Sequence, residues 1–174
     1  MFFVKILGAL LMVGVCSYTG YIFSQRFIQR HRELTVLQMG LEILGSEIIY
    51  MRTPLPTAFK KIALRLEEPV AGIFFAAGRK LERDEAYPRQ AWREALEEKK
   101  GESAFSPQDL QVLAGLGTVL EGDSDSEGQV RQLKILAKEV ERLVLEAEGE
   151  KTKNVRVWRY LGLLGGLAFA ILFF

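Results

Sequence analysis

Residues 27–51 read FIQRHRELTVLQMGLEILGSEIIYM, and they predict a long helix with an apolar seam on one face. After an opening step of seven, the seam residues recur at alternating steps of three and four, which is heptad spacing. They are Phe27, Leu34, Leu37, Leu41, Leu44, Ile48 and Met51. No proline interrupts this stretch or the apolar residues before it, so we expect one continuous helix against which the other segments pack.

Charge is unevenly distributed along the 174 residues, although the net charge is only +1. Residues 33–150 hold all 22 acidic residues and 15 basic ones, a net charge of −7. Basic flanks border this region: Arg26, Arg30, Arg32, Lys151, Lys153, Arg156 and Arg159. This pattern predicts a membrane-tethered cytoplasmic domain and argues against a nucleic-acid partner. The single cysteine, Cys16, excludes an intrachain disulfide.

The N-terminal segment predicts a transmembrane helix within residues 1–25. Residues 2–23 are apolar apart from Lys5 and a few small or hydroxylated residues, and they suit about 30 Å of hydrocarbon. The rival interpretation is a secretory signal peptide with Lys5 in its basic region. No small-residue cleavage site follows, and the arginines after the segment oppose export.

The C-terminal segment predicts a second transmembrane helix at residues 155–174. Trp158 and Tyr160 stand where an interfacial aromatic belt is expected, and Gly162 with Gly166 forms a GxxxG pair for helix packing in the membrane. Generic small residues explain that pair equally well. A buried tail helix is the alternative, but residues 161–174 are apolar on all sides. Both basic flanks then place residues 26–154 in the cytoplasm and both termini outside.

Proline and capping signals divide the region between the spans into short amphipathic helices. The corner at Pro54, then Pro69 and Pro88, start three of them, and Ser106 with Pro107 and Asp109 predicts a capped fourth. The last helix carries a second heptad seam, at Val130, Leu133, Ala137, Val140, Val144 and Ala147. With no alternating strand pattern, the chain predicts an all-α, antiparallel bundle of about six helices.

Enzymatic signals are sparse, so we expect neither catalysis nor a cofactor. His31, the single histidine, lies in a basic run, and Cys16 lies in an apolar segment as a packing residue. Asp123, Asp125 and Glu127 mimic the first ligands of a calcium loop. Position twelve of that loop is Lys134, which would repel the ion, so an acidic turn is favoured over a metal site.

Two groups of side chains remain as candidates for binding or local structure. Glu47, Tyr50 and Arg52 lie at the end of the first seam, where they either order the corner at Pro54 or offer a docking surface; the corner role is favoured. Trp92 has helical spacing with Ala95 and Leu96, so a core role is favoured over an interface role.

The order of several short segments resembles the stage III sporulation protein AB family of endospore-forming bacteria. These segments are residues 47–55 (EIIYMRTPL), 91–92 (AW), 122–129 (GDSDSEGQ) and 158–162 (WRYLG), together with the N-terminal span. Their order and spacing carry the resemblance over essentially the whole chain. Glu121 and Gly128 depart from the residues we associate with the family, which puts only the geometry of that turn in question.

The resemblance implies a structural protein similar to the cytoplasmic domain of the inner-membrane platform protein of type II secretion and type IV pilus machines. It implies a place in the mother-cell membrane around the forespore, within a transenvelope channel complex containing other membrane proteins. A secretion-type ATPase is the implied cytoplasmic partner. The acidic domain, through Asp123, Asp125, Glu127 and its other exposed acids, would suit a basic surface on that partner.

Two alternatives stay open. One is a free-standing membrane-anchored scaffold that self-associates as a homo-oligomer through the seam of residues 27–51. The other is a membrane-embedded enzyme, which the near absence of ionisable residues in the spans disfavours.

Overall fold

The computed structural model describes residues 2–51, 53–83, 87–121 and 126–173, and every regular element within them is helical. The elements are α1 (Phe2–Ser46), a π-helical turn (Glu47–Met51), α2 (Leu55–Ala63), α3 (Val70–Glu82), α4 (Pro88–Lys99), α5 (Pro107–Glu121) and α6 (Ser126–Phe173). The prediction of an all-α chain with about six helices is therefore confirmed for the described residues.

The chain divides into two compact units. The terminal unit comprises Met1–His31 and Glu146–Phe174, and the central unit comprises Arg32–Leu145. Within the described residues, no helix combines the length and the apolar character that a bilayer crossing requires. The transmembrane helices, and the domain limits 1–25, 26–154 and 155–174, stay predictions.

The seam of α1 forms one side of the core of the central unit. Leu34, Leu37, Leu41 and Leu44 are almost completely buried, as predicted. The same core contains three aromatic rings in mutual contact, with centroid separations of 5.1 to 5.7 Å, from Phe59, Phe74 and Trp92. The predicted core role of Trp92 is thus confirmed.

The predicted seam is wrong at its last position. Met51 is 68% exposed, and Ile48 is only partly buried. Both lie in the π-helical turn, where hydrogen bonds reach one residue further than in an α-helix. The added residue per turn shifts the register, so heptad spacing no longer keeps Met51 on the face that carries Leu44.

The start of α5 has the predicted reciprocal cap. The Asp109 amide donates to Ser106 Oγ (3.1 Å), and the Ser106 amide donates to Asp109 Oδ2 (2.8 Å). Asp109 is fully buried, so this capping box satisfies main-chain donors inside the fold.

Helix α5 also approaches α4 very closely. A Cβ placed on Gly117 would lie 2.9 Å from Arg89 Cα and 3.0 Å from the Arg89 carbonyl oxygen. Glycine therefore permits this helix contact.

The seam of α6 buries Leu133 and Val140 as predicted, together with Leu143, which heptad spacing did not include.

Candidate interaction surfaces

The Glu47 carboxylate lies at the corner between the π-helical turn and α2. Thr53 Oγ1 donates to Glu47 Oε2 (2.7 Å), and Lys61 Nζ contacts the same oxygen at 3.1 Å. The Thr53 amide also donates to the Glu47 carbonyl (3.3 Å), and Glu47 is only 7% exposed. Both the main chain and the side chain of Glu47 therefore order the segment that leads into α2.

Electrostatics favour the charged form of Glu47. The hydrogen bond from Thr53, followed by that from Lys61, lowers the pKa of the Glu47 carboxyl below its ordinary value. Both donors contact Oε2, and because Glu47 is only 7% exposed, its carboxylate presents little surface to a partner protein. The Tyr50 side chain and Arg52 lie outside the described residues, so a docking role for this group stays a prediction.

The acidic turn between α5 and α6 is only partly described. Asp123 and Asp125 lie outside the described residues, while Glu127 is in the first turn of α6 without a described side chain. Across the described part of the chain, no three His, Cys, Asp or Glu residues converge as metal ligands. A partner-binding role for Asp123, Asp125 and Glu127 stays a prediction.

An apolar depression runs along α5 and α6, the two helices that the acidic turn connects. Its apolar lining comes from Val112, Val119, Ile135 and Leu136. Ile135 is 64% exposed, and Gln132 and Glu139 add polar groups to the lining. An exposed apolar patch with a polar rim is a common feature of protein-binding surfaces.

Glu33 is a buried acid that the sequence did not single out. The Ala104 amide donates to Glu33 Oε2 (2.7 Å), and Glu33 is 7% exposed. Burial raises the pKa of the Glu33 carboxyl above its ordinary value, although the hydrogen bond from Ala104 acts in the opposite direction. The contact joins α1 to the segment before α5. In the sequence, the one sign that Glu33 is buried is its position next to the seam residue Leu34.

Two cross-helix contacts hold α1 and α6 together in the terminal unit. Arg30 Nη1 pairs with Glu150 Oε2 at 2.5 Å, and the rings of Phe23 and Trp158 stack with centroids 5.0 Å apart and planes 18° apart. Higher numbers on α1 meet lower numbers on α6, so the two helices are antiparallel here.

A groove in the terminal unit combines apolar and cationic side chains. It is lined by Ile28 of α1 and by Lys151, Thr152, Val155, Arg156 and Tyr160 of α6. Gly162 and Gly166 lie further along α6, where the neighbouring side chains are largely outside the described residues. Their role in membrane-helix packing stays a prediction.

Comparisons with known proteins point to one family. The sequence model of the family described as stage III sporulation protein AB matches residues 5–174. The chain is 30% identical over 168 residues to stage III sporulation protein AB of Bacillus subtilis (strain 168), covering 97% of this chain and 98% of that protein. A solved structure of stage III sporulation protein AB (SpoIIIAB) matches with a TM-score of 0.68 at 28% identity, covering 72% of this chain and 98% of that chain.

Proposed function

Because the chain belongs to the stage III sporulation protein AB family, we propose that it is a structural component of a sporulation channel complex between mother cell and forespore. The observation that carries this proposal is the match over residues 5–174, which includes both apolar ends as well as the helical centre. The names of the matched relatives describe sporulation and state no catalytic activity. A structural role is consistent with both observations.

In this proposal, residues 2–23 and 155–174 anchor the protein in the mother-cell membrane around the forespore, and the region between them lies in the cytoplasm. The apolar composition of the two ends and their basic flanks support this arrangement. Resistance to alkaline extraction from membranes would support anchoring. A reporter that is active only in the cytoplasm should be inactive when it is fused after Phe174. Activity of that fusion would contradict the topology.

The central unit then acts as a platform that docks a secretion-type ATPase. We assign the docking surface to the acidic turn together with the apolar depression along α5 and α6. The depression supplies exposed apolar surface around Ile135, and the segment that connects α5 to α6 in the sequence, with the first turn of α6, supplies Asp123, Asp125 and Glu127. A partner with a basic rim around an apolar anchor would complement both features.

The self-associating scaffold has less support. Leu34, Leu37, Leu41 and Leu44 are at most 2% exposed within a single chain. Because those side chains already pack in the core of the central unit, they offer no apolar seam to a second copy. The burial therefore favours a platform over a tether built on this part of α1.

Purification of the tagged protein from membranes of sporulating cells tests the proposal. We expect a secretion-type ATPase and other channel proteins to co-purify, and the ATPase to be lost at high salt because acidic contacts are screened. Recovery of this protein alone, as a discrete oligomer, would contradict the platform function and favour the scaffold.

Variants separate the two parts of the docking surface. Charge reversal at Asp123, Asp125 and Glu127 should abolish ATPase recovery, and Ile135→Ser should weaken it. A matched control reverses three exposed acids elsewhere: Glu42, Glu141 and Glu148. If the control removes the ATPase equally, overall negative charge and not this surface attracts it.

A further inference from the structure

The groove in the terminal unit has the chemistry of a lipid site. Thr152, Arg156 and Tyr160 follow one another at intervals of four along α6, so a hydroxyl, a guanidinium and a phenol share one helix face. Lys151 and Val155 form the neighbouring column of the same lining, and Ile28 contributes from α1. The groove therefore has a polar, cationic part and an apolar part.

The groove contains two cations, Lys151 and Arg156. Among the described residues, neither Lys151 nor Arg156 forms an ion pair, whereas Arg30 is paired with Glu150. The sequence has no acidic residue before Glu33 or after Glu150. Glu148 and Glu150 lie within one helical turn of Lys151, whereas no acidic residue lies within one turn of Arg156 on α6.

The position of the groove matches the headgroup layer in the proposed membrane arrangement. Phe23 ends the predicted N-terminal span and stacks on Trp158. At about 1.5 Å per residue, Arg156 lies about 3 Å and Lys151 about 10 Å from Trp158 along the helix axis, toward the N-terminal end of α6. The headgroup layer on each side of the hydrocarbon is about 5 to 8 Å thick, which places lipid phosphates within reach of both side chains.

We propose that this groove binds one anionic phospholipid, with its phosphate between Lys151 and Arg156 and the glycerol end of an acyl chain against Ile28 and Val155. The proposal rests on the membrane anchoring given under the proposed function. It adds a specific site between α1 and α6, which the Arg30–Glu150 pair and the Phe23–Trp158 stack join.

The test uses the full chain purified in a non-ionic detergent, with binding of dioleoyl-phosphatidylglycerol followed by native mass spectrometry. Dioleoyl-phosphatidylcholine provides the comparison lipid. We expect Lys151→Gln with Arg156→Gln to weaken phosphatidylglycerol binding about thirtyfold, since each cation contributes about fivefold near an anionic surface. The matched control is Arg26→Gln with Lys153→Gln, which removes two flank cations that do not line the groove.

Three results would overturn the site. Equal loss in the control pair would indicate diffuse attraction by the basic flanks. Equal binding of phosphatidylcholine would remove the requirement for an anion. Equal occupancy by inorganic phosphate or by water-soluble glycerophosphoglycerol would show an anion site without an acyl-chain contact.

The apolar half has its own test. Ile28→Ser should weaken binding of the dioleoyl lipid and leave binding of glycerophosphoglycerol unchanged, whereas an unchanged dioleoyl affinity would contradict the acyl-chain assignment. Failure of lipid binding is distinguishable from failure of the proposed function. A protein that stays in membranes and co-purifies with channel proteins, yet shows no phosphatidylglycerol preference, would refute only the lipid site.

Discussion

The indole Nε1 of Trp92 donates a hydrogen bond to the main-chain carbonyl of Leu113, 2.7 Å away, and both residues are almost completely buried. The bond links α4 to the middle of α5, while the Trp92 ring contacts Phe59 and Phe74. The Trp92 side chain thus connects α4 with three other helices of the central unit, α2, α3 and α5.

Trp92→Phe should destabilise the protein by about 2 kcal/mol, because it removes a buried hydrogen bond and leaves space in a packed core. Thermal unfolding followed by circular dichroism would measure the change. Tyr87→Phe is the control, since Tyr87 is 74% exposed and its change should be within about 0.5 kcal/mol. Equal effects of the two substitutions would contradict the assigned role of Trp92.

Two glycines in α5 should respond to alanine in opposite directions. Gly117→Ala should destabilise by about 1 to 3 kcal/mol, because the added Cβ meets the Arg89 backbone at 2.9 to 3.0 Å. Gly115→Ala should stabilise by about 0.5 to 1 kcal/mol, because its Cβ meets only Leu136 Cδ1 at 3.6 Å and alanine favours the helix. Unfolding of both variants tests the α4–α5 contact, and stabilisation by both would contradict it.

Loss of the α5 cap should have a measurable cost. Ser106→Ala removes the acceptor for the Asp109 amide and should lower stability by about 1 kcal/mol. Ser46→Ala is a matched control, because Ser46 is exposed and bonds only to the Glu42 carbonyl within its own helix. A negligible effect at Ser106 would show that α5 starts without help from this cap.

Glu33 should make the protein less stable as the pH rises. Its pKa is raised in the folded state, so the folded protein holds the proton more tightly than the unfolded chain. The stability contributed by Glu33 is complete below its ordinary pKa of 4.5 and is lost as the pH rises through the higher folded pKa. Glu33→Gln should remove this loss and be at least as stable as the native protein at neutral pH. A clear destabilisation by Glu33→Gln at neutral pH would contradict the raised pKa of Glu33.

Glu47 should act with the opposite sign. Thr53 and Lys61 lower its pKa, so its contribution is present above 4.5 and is lost as the pH falls through the lower folded value. Glu47→Gln should therefore reduce the acid sensitivity of the protein while lowering its stability at neutral pH. Melting curves of the two glutamine variants across the same pH series would test both signs together.

Local sequence patterns predicted the parts of the fold that depend on local chemistry. The seam through Leu44 follows from periodicity, and the α5 cap follows from residues only three positions apart. The exposure of Met51 was not predictable, because a π-helical turn changes the register without a distinctive residue.

Local sequence patterns do not predict contacts between residues that are far apart in the chain. The Glu33 carboxylate and the Ala104 amide are 71 positions apart, so only the packed helices reveal their hydrogen bond. The close approach of Gly117 to Arg89 likewise depends on how α4 and α5 pack. The acidic residues between α5 and α6 can be read from the sequence, whereas the apolar depression depends on how α5 and α6 align.

The most direct test of the account is a binding measurement between the purified full-length protein in detergent and the purified secretion-type ATPase. We predict saturable binding that weakens as salt is added and is lost on charge reversal at Asp123, Asp125 and Glu127, but not at Glu42, Glu141 and Glu148. Absence of binding at low salt, with both proteins folded, would contradict the platform function.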